Sequence, residues 1–162
     1  MKQESYIRIF EFVRRYRHGE NIVRYANLFL TRIVYVAYCI MLFVLAVKHD
    51  GRIYRIVFVT GISFILVSVF RKMIDKERPY TKYNFVPLIP KEKKGQSMPS
   101  RHVFSAFIIG MALLYVYPPA GIFIFVDGIA MGVIRVVTGV HFPRDVIAGA
   151  GIGILCGIIG FL

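Results

Sequence analysis

Leu28–Val47 reads LFLTRIVYVAYCIMLFVLAV, with Arg32 its single charge, and after a short polar break Ile53–Phe70 continues as IYRIVFVTGISFILVSVF. An α-helix rises about 1.5 Å per residue, so roughly 20 apolar residues cross the hydrocarbon core of a bilayer. Three more blocks of this kind follow, near Val103–Tyr117, Gly121–Val137 and Val146–Leu162. Several are somewhat short, and tilt, flanking aromatics and snorkelling of Arg32 or Arg55 at a block's edge make up the difference. The fold class is therefore all-α, a polytopic transmembrane helical bundle of about five spans plus an N-terminal amphipathic interfacial helix. Composition agrees: 57% of the 162 residues are apolar, and mean hydropathy is +0.62. Blocks this continuous leave no room for a water-soluble α/β enzyme, and the lack of repeats or low-complexity tracts excludes a solenoid or a disordered tail. Cys39 and Cys156 both fall in apolar blocks and read as buried thiols.

Charge sets the second bound. Lys and Arg total 21 against 9 Asp and Glu, a formal +12, and the cations cluster in residues 1–24 and 71–101. Such clusters suit nucleic acid, anionic headgroups or cytoplasmic loops, and in a membrane chain the last two prevail, so no nucleic acid is expected as a partner. The first 20 residues lack the continuous apolar core of a signal peptide. There Tyr6, Ile7, Phe10 and Val13 recur at helical spacing opposite Arg8, Glu11, Arg14 and Arg15, which suits a helix lying along the membrane surface or one packed on the protein. The chain thus divides into a basic amphipathic segment, 1–27, and a transmembrane core, 28–162, whose one long polar loop, 71–102, is functional by its size.

Three segments at predicted helix ends carry chemistry. In Arg71-Lys72-Met73-Ile74-Asp75-Lys76-Glu77-Arg78-Pro79, a helix running on from the second block places Arg71 and Arg78 two turns apart on one face, with Lys72 pointing elsewhere and Pro79 marking the stop. Two guanidiniums so placed make a fork for phosphate oxygens. In Pro99-Ser100-Arg101-His102 the first two residues read as the start and N-cap of a helix. Its free N–H groups, those of Arg101 and His102 included, form an anion site shared with the Ser100 hydroxyl, beside a histidine able to lend a proton. In Arg135-Val136-Val137-Thr138-Gly139-Val140-His141-Phe142-Pro143-Arg144-Asp145, Gly139 permits a turn and Pro143 suits the first turn of the next helix. His141 is left at the mouth, with Asp145 able to accept from one imidazole nitrogen and free the other as base or nucleophile.

Counting spans brings all three segments to one side of the membrane. Cations for a phosphate, one oriented histidine and one proton-donating histidine make a phosphoryl-transfer site, in which positioning and charge stabilisation carry most of the work.

The set resembles the signature of the type 2 phosphatidic acid phosphatase family, membrane relatives of the vanadium haloperoxidases, whose pattern is Lys-x6-Arg-Pro, then Pro-Ser-x-His, then Ser-Arg-x5-His-x3-Asp. Pro99-Ser100-Arg101-His102 matches fully. Arg135, His141 and Asp145 match with Ile134 in place of Ser, and Arg71 stands where Lys is usual ahead of Arg78-Pro79. The resemblance covers about residues 53–162. It implies a six-helix core, whose first helix the basic N-terminal segment replaces or remodels, and a metal-independent reaction without cofactor on a lipid phosphate or diphosphate. His141 would attack phosphorus while Asp145 holds its ring, His102 would protonate the leaving oxygen and then activate water, and Arg71, Arg78, Ser100, Arg101 and Arg135 would bind substrate. Undecaprenyl diphosphate, phosphatidylglycerophosphate and phosphatidic acid present similar heads. A lipid phosphotransferase and a silent anion-binding scaffold are the rival readings. Positive-inside counting puts the site in the cytoplasm, whereas the resemblance implies the outer face of the cell membrane. Because many of the loop cations would bind substrate, the outer face is the expectation here. Asp127, in the middle of the fourth block, is a functional candidate as an intramembrane ionisable group and reads better as a protonated or hydrogen-bonded structural Asp facing the bundle, and the glycines of the last three blocks read as positions of close helix packing.

Overall fold

The computed structural model describes residues 1–91 and 93–162. Among them the helices run α1 (Gln3–Arg14), α2 (Gly19–Val47), α3 (Arg52–Ile74), α4 (Pro79–Lys82), α5 (Arg101–Val116), α6 (Pro118–Val137) and α7 (Pro143–Phe161). Helices α2, α3, α6 and α7 are each long and apolar enough to cross a membrane, and α5 is a shorter apolar helix. All five expected apolar blocks are thus helices of a multi-pass membrane bundle. The division expected between residues 27 and 28 falls inside α2, which already starts at Gly19. Glu20 and Arg24 occupy its first turns and stay exposed, so the polar composition changes later than the helix begins.

Helix α5 is the axis of the bundle. Every residue from Val103 to Leu113 is buried, because α6 and α7 enclose it together with α2 and α3. A helix so enclosed needs no polar face and no lipid-matched length, which explains its 16 residues. Small residues on α7 bring it close: a Cβ on Gly149 would stand 2.6 Å from the Ser100 carbonyl oxygen, and one on Gly153 would stand 2.9 Å from that of Phe104. Glycines spaced four apart lie on one helix face, so a stripe of α7 lets the two backbones approach.

Outward, the bundle is coated with apolar side chains, such as Phe43 on α2 at 70% exposed and Ile159 on α7 at 75%. A belt of this kind is solvated by lipid chains. Cys39 lies on this surface rather than buried, and both thiols are free. Asp127 is buried in α6 as expected, but neither carboxyl oxygen has a hydrogen-bond partner among the described residues.

The helix expected to run from the second block through Arg78 stops earlier. It ends at Ile74, and Asp75 takes the left-handed conformation at φ 40°, which a short polar side chain tolerates. The backbone beyond finds other partners: Ser97 N–H donates to the Lys76 carbonyl at 2.8 Å and Arg78 N–H to that of Lys94 at 3.3 Å. Pro79 therefore opens the short α4 rather than closing α3. At this end of the bundle, Tyr6, Phe10 and Val13 of α1 form a separate apolar cluster with Leu88 and Phe142. The amphipathic N-terminal helix is thus packed on the protein by that face.

Candidate active site

Although α3 ends early, Arg71 and Arg78 still converge. Arg71, in the last turn of α3, is buried and donates through both terminal nitrogens to the main-chain carbonyls of Pro99 and Gln96. Arg78 reaches inward from the loop, its Nε donating to the Gly95 carbonyl at 3.0 Å and Nη1 to that of Val140 at 3.3 Å. Lys72, one residue on from Arg71, is exposed. Arg135 joins them from the last turn of α6, buried, with no acceptor for its Nε among the described residues. Each cation is thus anchored by backbone or left open, and no carboxylate among the described residues forms a salt bridge with any of the three. Buried charge without a counterion is costly, and a cradle of this kind suits an anion that arrives from outside.

His141 sits in the turn between α6 and α7, 2% exposed, and Asp145 in the first turn of α7 is fully buried. Nδ1 of His141 lies 3.7 Å from Asp145 Oδ2. That same oxygen accepts from Phe142 N–H at 3.0 Å and from the Ser97 hydroxyl at 2.5 Å. Ser97 Oγ is itself 3.5 Å from His141 Nδ1, so a serine wedges between the ring and the carboxylate. Nδ1 faces the acid, which leaves Nε2 as the free nitrogen. Burial pushes the His141 imidazole down to about 4; the hydrogen-bonding Asp145 opposes this shift, while Arg78 and Arg135 add to it. The ring is neutral at physiological pH and so carries a lone pair.

The Pro99–His102 segment meets the other two through backbone. Ser100 is the N-cap residue of α5, and its N–H donates to the Asp145 carbonyl at 2.7 Å, which locks the first turns of α5 and α7 together. Its buried hydroxyl makes no cap bond and has no partner among the described residues. His102 is half-buried in the first turn of α5. Arg101 is exposed, and its guanidinium lies over the Phe64 ring at 5.5 Å, outside the buried cradle. Lys91 has its ammonium pushed below the ordinary lysine value by partial desolvation and by Arg135, Arg78 and Arg101. Ser97 was not singled out in the sequence: a small hydroxyl two residues ahead of Pro99 carries no periodic or spacing signal.

Helix ends that gather buried arginines around a neutral, carboxylate-oriented histidine suit phosphoryl transfer at a membrane. Residues 52–162 match the family model described as the PAP2 superfamily, and the chain belongs to that family. It is a membrane-embedded lipid phosphatase. It is 26% identical over 157 residues to undecaprenyl-diphosphatase BcrC of Bacillus subtilis (strain 168), covering 94% of this chain and 81% of that protein. With the lipid A 1-phosphatase of Rhizobium johnstonii it shares 31% identity over 103 residues, covering 59% of this chain and 41% of the relative. The crystal structure of Aquifex aeolicus LpxE is similar at a TM-score of 0.68 with 26% identity, over 83% of this chain and 84% of that one. The phosphatidylglycerolphosphate phosphatase of Bacillus subtilis shares the fold at a TM-score of 0.60 and 22% identity, over 86% and 81% of the two chains.

Proposed function

We propose that this protein removes the terminal phosphate of a lipid diphosphate through a phosphohistidine on His141, at the outer face of the cell membrane. The observation that carries this reading is the cradle of three buried arginines without a carboxylate partner among the described residues, set around a histidine whose Nδ1 is turned to Asp145. Arg101 and Lys91 stand nearby as further cations, which suits a second phosphate beyond the one that reacts. Identity to an undecaprenyl-diphosphatase along most of the chain supports a diphosphate head over a monoester.

The chemistry follows from the groups present. The Nε2 lone pair of neutral His141 forms the N–P bond as the bond from phosphorus to the leaving oxygen breaks, and His102, which takes up a proton as the anionic head enters among the arginines, gives that proton to the oxygen. Asp145 stabilises the positive charge that develops on the imidazole. Arg71, Arg78 and Arg135 hold the three equatorial oxygens, with the Ser100 hydroxyl donating alongside them. His102, now neutral, takes a proton from water as the water oxygen attacks phosphorus. The N–P bond breaks and inorganic phosphate leaves with His141 neutral again.

Purified protein in detergent, offered undecaprenyl diphosphate, phosphatidylglycerophosphate and phosphatidic acid, tests the reading. Phosphate release should be fastest from the diphosphate, persist in excess EDTA and be inhibited by vanadate, which mimics five-coordinate phosphorus. Release that requires an added acceptor lipid would make the protein a phosphotransferase, and no release from any of the three would leave an anion-binding scaffold. A membrane-impermeant thiol reagent applied to intact cells carrying Lys93→Cys should label the loop; protection until lysis would place the site inside.

A further inference from the structure

Residues 138–142 carry the proposed nucleophile, and besides the hydrogen bonds of the neighbouring helix ends, contacts from several elements hold their backbone. Leu88 N–H donates to the Thr138 carbonyl at 3.2 Å, and His141 N–H to that of Arg135 at 3.2 Å. Arg78 Nη1 donates to the Val140 carbonyl at 3.3 Å. These three come from within the residues that match the family model. Another does not: the hydroxyl of Tyr6, on α1, donates to the carbonyl of His141 itself at 3.2 Å.

The contact is built rather than incidental. Tyr6 is 0% exposed, and its ring packs against Phe85 at 5.4 Å, Phe142 at 6.2 Å and Phe10 at 6.4 Å between centroids. Burial holds its phenol above the ordinary tyrosine value, so it remains a donor. One turn along α1, Phe10 covers Gly139: a Cβ on that glycine, whose φ is +74°, would come within 2.7 Å of the Phe10 ring. Two side chains on one face of α1 therefore grip both ends of the turn. The His141 carbonyl defines the plane of the peptide that leads into Phe142, whose N–H binds Asp145. Holding that plane holds the ring in register with the carboxylate.

We propose that α1 is part of the active site, with Tyr6 a positioning residue that acts through the His141 carbonyl. This rests on His141 as the nucleophile. A structural tyrosine would support folding; a positioning one supports the first chemical step. The full chain carrying Tyr6→Phe keeps the buried ring and loses only the hydroxyl. Tyr83→Phe is the control, because its hydroxyl in the same aromatic cluster donates to the Met1 carbonyl instead.

Rapid-quench labelling with radioactive substrate should show phosphoenzyme forming about tenfold more slowly in Tyr6→Phe, the size of one hydrogen bond. KM should stay within about twofold and the variant should stay folded at the assay temperature, with at most the small fall in Tm that one lost hydrogen bond causes, and Tyr83→Phe should be like the unsubstituted chain. A Tyr6→Phe rate equal to that of the unsubstituted chain overturns the proposal. So does a loss matched by Tyr83→Phe, or one accompanied by unfolding at the assay temperature. His141→Ala runs alongside: label on that variant overturns the nucleophile assignment and the clamp together, whereas an unlabelled His141→Ala beside a fast Tyr6→Phe overturns the clamp alone.

Discussion

The α5–α7 half of the bundle and the α2–α3 half contrast sharply. Helices α5, α6 and α7 approach along glycine stripes, bury a continuous axis from Val103 to Leu113, and carry His102, Arg135 and Asp145 with His141 in the turn between them. Helices α2 and α3 present Phe43, Phe58 and Tyr54 to lipid, and of the residues proposed for chemistry they supply only Arg71. Dense packing is thus placed where the proposed nucleophile and its carboxylate must be held to a fraction of an ångström, while the outer half provides a wall and one long cation. The lesson is that sensitivity to substitution should follow packing and charge, not hydrophobicity.

The largest break in that contrast is His141→Ala, expected to lower turnover by about 10⁴-fold or more, because His141 is the imidazole that Asp145 orients beside the arginines. The measurement is label on protein after an alkaline quench, where phosphohistidine survives; label retained on the alanine variant would sink the assignment. Arg71→Ala comes next. Removing one positioned donor costs about 2–4 kcal/mol in the transition state, or roughly 10²–10³ in rate. Arg71→Lys should keep much of the activity, and the exposed Lys72→Ala should be nearly silent. A crippled Lys72→Ala beside a healthy Arg71→Ala would reverse the roles of the two neighbours.

Ser97→Ala sharpens the comparison at smaller scale. It strips a donor from a buried carboxylate oxygen and opens a gap beside Nδ1, so phosphoenzyme formation should slow by about ten- to a hundredfold with the fold intact. The acid limb of kcat/KM gives a further check. His141 must be neutral to attack, and its pKa is lowered to about 4, so activity should not titrate away at the ordinary histidine value near 6.5. Because the Asp145 carboxylate raises that pKa, Asp145→Asn should move the His141 titration to still lower pH, read by NMR of labelled imidazole. The smallest effect belongs to the lipid belt: Phe43→Leu or Phe58→Leu should change turnover by less than about twofold, and a tenfold loss at either would mean that this face takes part in the site.

Much of this was legible in the chain. Five apolar blocks near membrane-crossing length require helices, since lipid offers no partner to an unpaired backbone group. Span parity alone then brings Arg71, His102 and His141 to one end, and local rules place Ser100 before its helix and Asp145 inside the first turn of the next. Tertiary structure decided the rest. Sequence periodicity takes the two arginines to share a helix face, yet α3 stops at Ile74 and they meet because their guanidiniums bind carbonyls of the 95–99 loop and of Val140. Arg101 belongs to the motif but turns outward onto Phe64. Ser97 and Tyr6 reach the site from 44 and 135 residues away from His141 along the chain. Local chemistry dictates helices, caps and turns because their partners lie within a few residues. Which distant hydroxyl finishes a carboxylate or clamps a carbonyl depends on how loops fold over helix ends, and no short-range pattern encodes it.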